Sequence, residues 1–421
     1  MSPLNTEEYE YSGFSAEETS EEKPKTVAGK YLKPEILRIF TGPMDVLRRF
    51  AKSPGGIFNF RLFDVYYFVV VILLVAFGLA VHYSASYSNK TQAIFALAGI
   101  ILMLIVSQLR LSVFRDFATF AMAVATVFLI LVFTRVDYNG THRTFIFFQP
   151  SEVAKVTLIL FLAYLMDKYR VHKAKGSAFA VYLTIIIFYA GLVFLESHLS
   201  GCILFLAIGY AMMWDANLSK KWFVVLTVFA VIAMLILLTS PEKIPALRDY
   251  QVDRILIWKK ILFNKEITPG EKQNNARQVL QSLYGIGSGG LFGVGFGESG
   301  QKVSNLQEKA NDFIFSVLGE ELGFAGSMIM LILYGLLVAL GIRIAFKSKS
   351  YFGSLVALGI STQMALQVLI NVAVATSLIP NTGISLPFFS DGGTSMVVTL
   401  ISMGIMLAIS KEDGRPEKNA E

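Results

Sequence analysis

Charge is scarce in this sequence. Only 16% of its 421 residues are Asp, Glu, Lys or Arg, where a soluble protein carries about 25%. Apolar residues make up 54% and fall in runs of about twenty, each long enough to cross a bilayer as a helix. An ordinary soluble domain is thereby excluded. Alternating segments of about ten residues, the mark of a transmembrane β-barrel, are missing too. Cysteine is nearly absent: Cys202 stands alone inside an apolar run, so no intramolecular disulfide can form. Four histidines, with neither an HExxH pattern nor a Cys/His cluster, give no zinc site. No basic start followed by a short apolar core marks a signal peptide. What the composition leaves is an all-α polytopic membrane protein.

Ten transmembrane helices are expected, at about 64–85, 91–108, 117–134, 151–167, 177–195, 199–214, 222–239, 312–342, 353–374 and 394–410. With the N-terminus inside, the short inner loops hold most of the basic residues (Arg110, Arg115, Lys168, Arg170, Lys173, Lys175, Lys220, Lys221, Lys347, Lys349), against Lys90, Arg135 and Arg143 outside. This bias satisfies the positive-inside rule and makes both termini cytoplasmic. It also accounts for the net charge of +6 without a nucleic-acid partner. The domain reading follows. Residues 1–60 form a cytoplasmic extension, acidic and disordered at first, then basic, where it is either a short surface helix or simply the positive flank of the first span. Residues 61–410 form the membrane domain, and 411–421 a cytoplasmic tail. One large extracytoplasmic loop, 240–311, separates helices 7 and 8, which directs any chemistry to the outer face.

Several constellations can carry that chemistry. In "FQPSEVAK", Pro150 suits a first helical turn and Ser151 can cap it. Glu152 and Lys155 then share one face, either as a structural ion pair or as part of a site. "ESHLSG" ties two spans into a hairpin, with Glu196 and His198 at the outer boundary. "GIGSGGLFGVGFGESGQK" has no strand before it, which rules out a dinucleotide fold; its glycines let backbone turn closely at the membrane surface, against phosphate or sugar, with Lys302 beside them. "NTGISLPFFSDGGTSM" offers backbone N–H groups at a helix start around Gly392–Gly393 and Thr394, or plain turn-and-cap chemistry. In "KANDFIFSVLGEELGFAG", Asp312 stands at the outer mouth of span eight, either as an N-cap or as a general base facing a groove. Glu320 and Glu321 lie deeper and need a polar partner, with Lys155 one candidate.

Taken in order and spacing, "YSAS", "FQPSEVAK", "QSLYGIGSGGLFGVGFG", "DFIFSVLGEELGFAG" and "PNTGISLPFFSDGGTS" resemble the SEDS family (shape, elongation, division and sporulation) over residues 63–410. "GVGFGESGQK" is more similar to the FtsW-like branch than to the RodA-like one. The resemblance implies a peptidoglycan glycan-strand polymerase that joins lipid II disaccharides by inverting β-1,4 transfer, releasing undecaprenyl pyrophosphate. It implies Asp312 as the catalytic base, with Arg143, Arg254, Lys302 and Ser390 as candidates for holding substrate or pyrophosphate. Glu152 and Lys155 would be a supporting ion pair, and Glu196 and Glu321 are further candidates. No protein metal site is expected; a divalent cation, Mg or Mn, is the one cofactor the resemblance allows. Expected partners are lipid II, the growing glycan strand, a class B penicillin-binding protein transpeptidase and other division proteins, at the cytoplasmic (inner) membrane of the division septum. The rival readings are a lipid II flippase and a non-catalytic division scaffold. The chain departs from the family pattern at Gln307, Lys309, Ala310 and Asn311 before Asp312, at Ser197 and His198, at Thr144, and at Asp391.

Overall fold

The computed structural model describes residues 63–86, 90–132, 149–169, 176–196, 198–215, 220–245, 247–263, 265–266, 275–300 and 310–411. The expected N-terminal extension and the C-terminal tail past Lys411, and with them Arg143, Thr144, Ser197 and Lys302, lie outside the described residues.

Twelve α-helices occur among the described residues: α1 (Val65–Ser86), α2 (Lys90–Ser107), α3 (Leu111–Val132), α4 (Pro150–Lys168), α5 (Gly176–Leu195), α6 (Leu199–Asp215), α7 (Lys220–Thr239), α8 (Asp249–Leu262), α9 (Asn275–Ser288), α10 (Ile314–Lys347), α11 (Tyr351–Ala375) and α12 (Gly393–Ser410). Eight are long and apolar enough to cross a membrane, and α6 is a shorter apolar helix. The remaining expected span, α4, carries Glu152, Lys155, Asp167 and Lys168 within its 19 residues. Charges are costly in hydrocarbon, and α4 accordingly sits in the middle of the bundle. It packs against α3, α6 and α11, and nearly every residue from Pro150 to Met166 is buried. Helix α7 is the converse case. It has no acidic residue and no basic one past Lys221, and only Phe223 is buried. That phenylalanine fits between Phe179, Tyr210 and Trp214, anchoring one end of an otherwise lipid-facing helix.

The expected span at 312–342 is corrected in two respects. The helix runs from Ile314 to Lys347, and it is broken at Gly323, whose φ of 64° and ψ of −162° lie outside the helical region. The glycine-rich segment after α9 fills the break. The amides of Val294 and Gly295 donate to the Glu320 and Glu321 carbonyls at 2.9 and 3.1 Å, and the amides of Phe324 and Ala325 donate to the Gly290 and Leu291 carbonyls at 2.9 and 3.0 Å. Four backbone groups freed by the break are thus paired, as a low-dielectric setting demands. Two glycines make the approach possible. A Cβ on Gly293, itself at φ 80°, would overlap the Glu321 carbonyl, and one on Gly323 would overlap the Gly293 amide. The glycine-rich stretch therefore closes on a helix, in place of the phosphate or sugar expected from its composition.

Among its described residues the long loop carries helices α8 and α9. Helix α9 lies on α10, and Val279, Phe313, Val317, Val374 and Ala85 form a small second core between them. Beside that core, Ser282 bonds the Ser316 hydroxyl and donates to the Ala375 carbonyl at 2.7 Å. The start of α10 is thereby fixed against the end of α11.

Candidate active site

A cavity of about 540 Å³ opens where α4 and α6 begin and α11 ends. Its wall includes Gln149, Ser151, Glu152 and Lys155 from the start of α4, His198 and Gly201 from the α5–α6 hairpin, and Tyr250 and Arg254 from α8. Asn311 and Asp312, Gln367 of α11, and Gly383, Ser385 and Asp391 of the loop before α12 complete it. Six segments of the chain thus place three carboxylates and two cations around one space.

Local sequence explains each position. Pro150 opens α4 at its first turn, where no backbone donor is needed. The cap is Gln149, which corrects the expectation for Ser151: that residue lies inside the helix with its hydroxyl buried. Three residues apart on one face, Lys155 Nζ and Glu152 Oε2 meet at 2.8 Å, both side chains almost fully buried. Arg254 stacks on the Tyr250 ring, 5.6 Å from its centroid, one helical turn away. Asp312 sits in the turn ahead of α10. The N-cap there is Phe313, with no side-chain cap bond, so the capping role open to Asp312 is not the one it takes.

The turn that carries Asp312 is braced on two sides. Asn371 Nδ2 donates to the Asp312 carbonyl at 3.1 Å and to the Ile384 carbonyl at 2.7 Å. Ser390 Oγ donates to the Asn311 carbonyl and accepts from the Leu386 amide, both at 2.7 Å. The Asp391 amide donates to the Ala310 carbonyl at 2.6 Å. Ser390, a candidate for substrate contact, is therefore a strut between two loops, and it does not line the cavity.

Other candidates are likewise redistributed. Glu321, buried, accepts the Ser84 hydroxyl at 2.6 Å. Glu320 accepts from Ser299 Oγ and from the Gly300 amide at 3.0 Å. Lys155 is paired with Glu152, so its suggested bond to these glutamates is corrected. Glu196 is fully buried in the hairpin and does not line the cavity, whereas His198 does. The backbone at Gly392–Gly393 serves packing, since a Cβ on Gly393 would overlap the Phe95 ring. Sequence reasoning passed over Tyr250, Gln367 and Asn371. The spacing of Tyr250 and Arg254 by four on an amphipathic helix was the one available signal.

Among the described residues, no three His, Cys, Asp or Glu side chains cluster as ligands for a metal ion. Of the cavity's carboxylates, Glu152 is held by Lys155.

The chain matches the family model for cell cycle proteins of the FtsW/RodA/SpoVE type over residues 57–415. It is 30% identical over 381 residues to a probable peptidoglycan glycosyltransferase FtsW of Geobacter metallireducens, covering 84% of this chain and 97% of that one. It is 32% identical over 371 residues to the stage V sporulation protein E of Bacillus subtilis, covering 83% and 97%. Among solved structures it resembles a chain of a peptidoglycan synthase complex, described as showing structural coordination of polymerization and crosslinking. That match has a TM-score of 0.70 at 25% identity, covering 84% of this chain and 99% of that one. The fold also matches the rod shape determining protein RodA of Thermus thermophilus, with a TM-score of 0.62 at 24% identity, covering 84% and 98%.

Proposed function

This chain belongs to the FtsW/RodA/SpoVE family of cell cycle proteins, and on that premise we propose how its cavity works as a peptidoglycan glycosyltransferase. The substrate is lipid II, and the cavity lies on the outer face of a ten-span bundle. The Asp312 carboxylate takes the proton of the acceptor sugar's 4-hydroxyl as its oxygen bonds to C1 of the donor sugar. The C1–O bond to undecaprenyl pyrophosphate breaks in the same step, and attack opposite the leaving group inverts C1. Arg254, held against Tyr250, meets the charge developing on the departing diphosphate. Lys155 is committed to Glu152, and this pair stiffens the opposite wall.

The observation that carries this reading is the shared cavity of Asp312 and Arg254, a base and a fixed cation drawn from two distant segments. A divalent cation fits the scheme as a companion of the diphosphate, entering with substrate. A class B penicillin-binding protein as transpeptidase partner fits the similarity to a complex described as coordinating polymerization and crosslinking. Division at the septum fits the relatives named FtsW.

The test is glycan polymerisation from lipid II by the purified protein with its cognate transpeptidase. Asp312→Asn is expected to lower the rate by about 10²–10⁴-fold, the usual contribution of a general base. Equal polymer from both proteins would remove Asp312 from the chemistry. No polymer from an assembled wild-type complex would favour lipid II translocation instead.

A further inference from the structure

The segment that fills the break in α10 also carries a patch of exposed apolar side chains. Leu291 is 67% exposed, Phe292 82%, Val294 46% and Phe296 52%. Next to them, Phe324 is 60% exposed. Phe324 begins a stripe along one face of α10 that continues through Met328, Ile332 and Leu336, all exposed and spaced by four. The paired backbone of residues 290–295 and 320–325 fixes the loop at the depth where that stripe starts.

Depth can be reckoned along the helix. From Phe324 to Lys347 there are about 24 residues, roughly 36 Å at 1.5 Å per residue. That length spans the ~30 Å hydrocarbon layer and ends in the headgroup region. The break therefore stands at the outer boundary of the bilayer. Glu321 agrees, because its partner Ser84 lies two residues from the end of α1. The part of α10 before the break then runs along that boundary toward the cavity, since Asp312 and Glu152, near the start of α4, line the same space.

We propose that residues 291–296 are a membrane wedge: Leu291, Phe292, Val294 and Phe296 insert among outer-leaflet lipids beside Phe324, although the segment belongs to the extracytoplasmic loop. Three features fit lipid as the occupant. The patch is continuous with the exposed apolar stripe of α10. Part of its backbone, the Val294 and Gly295 amides and the Leu291 carbonyl, is already bonded to the broken helix, which lowers the cost of insertion. The first charge past it, Glu298, is exposed and stands at the end of the wedge, where a headgroup or water can meet it. This inference stands apart from the glycosyl-transfer reading and is tested without activity.

The experiment places a cysteine at Phe292→Cys in a Cys202→Ser background, labels it with an environment-sensitive fluorophore, and reconstitutes the full chain in phosphatidylcholine–phosphatidylglycerol nanodiscs. Ile332→Cys is the lipid reference and Glu266→Cys, exposed in the long loop, the aqueous one. Doxyl lipids labelled near the headgroup should quench position 292 as strongly as position 332 or more so, and iodide should quench it several-fold less than position 266. Quenching by iodide at the level of position 266 overturns the proposal. Protection from both quenchers overturns it too, by showing a protein occupant, either a second copy or a partner helix. Leu291→Cys and Phe296→Cys are read alongside, so that a single variant that fails to fold does not decide the matter.

Discussion

Breaking the Glu152–Lys155 pair gives the most quantitative test of the bundle. The two charges meet at 2.8 Å with both side chains nearly buried. At an effective dielectric of about 20, that contact corresponds to roughly 6 kcal/mol of attraction before desolvation is subtracted. Removing one partner strands the other, which in buried pairs costs about 3–5 kcal/mol. Glu152→Gln and Lys155→Met should therefore each lose about 3–5 kcal/mol, while the double variant loses much less than the sum. Reversible unfolding of the four proteins in mixed micelles measures this cycle. Additive losses would refute the claim that these charges are partners.

Other expectations can be checked by the same means. Gly293→Ala should destabilise by at least about 2 kcal/mol, because the left-handed backbone alone costs about 1–2 and the new methyl overlaps the Glu321 carbonyl; a shifted unfolding midpoint reads it. Asn371→Leu leaves the Asp312 and Ile384 carbonyls without this donor, and displacing the base proposed at Asp312 should lower kcat by up to about 100-fold with KM little changed in the polymerisation assay. At the opposite face, burial pushes the Lys411 ammonium below the ordinary lysine pKa, although the group donates to Gln108 Oε1 at 2.7 Å. The folded state then releases this proton before the unfolded state does, so in the alkaline window below the ordinary lysine value stability should rise with pH. Lys411→Met should remove that increment when midpoints are compared across the window.

How much of this was legible in the sequence depends on the range of each interaction. Glu152 and Lys155 were legible because a helix repeats every 3.6 residues and both partners lie within one turn. The spans were legible from apolar runs, α4 included, because its four charges are spaced within a run bounded by Pro150. Asp312 was found at its helix mouth, but Asn371 was not, since an asparagine in an apolar helix carries no sign of which carbonyls it will meet. Gly323 lies in "GEELGFAG", where it reads as one more helix glycine. Only the approach of residues 290–295, about thirty positions earlier, makes its positive φ necessary. The glycine-rich loop was correctly read as a place of close backbone approach, and composition could not say that the other backbone was the protein's own.

The partners of the buried acids have an order in time as well as in space. Chains are made from the N-terminus at about 5–20 residues per second, and a lone charge entering the bilayer is costly. Lys155 emerges three residues after Glu152, within the same turn of helix. Ser84, Ser299 and Gly300 all precede the glutamates that they serve. No buried acid among these has to wait for a distant, later segment before it can be neutralised or solvated. The cavity itself is different, because Gln367, Gly383, Ser385 and Asp391 belong to the last segments translated. A ribosome still working on this chain thus holds a bundle in which Glu152, Glu320 and Glu321 are already accommodated and whose cavity has not yet closed.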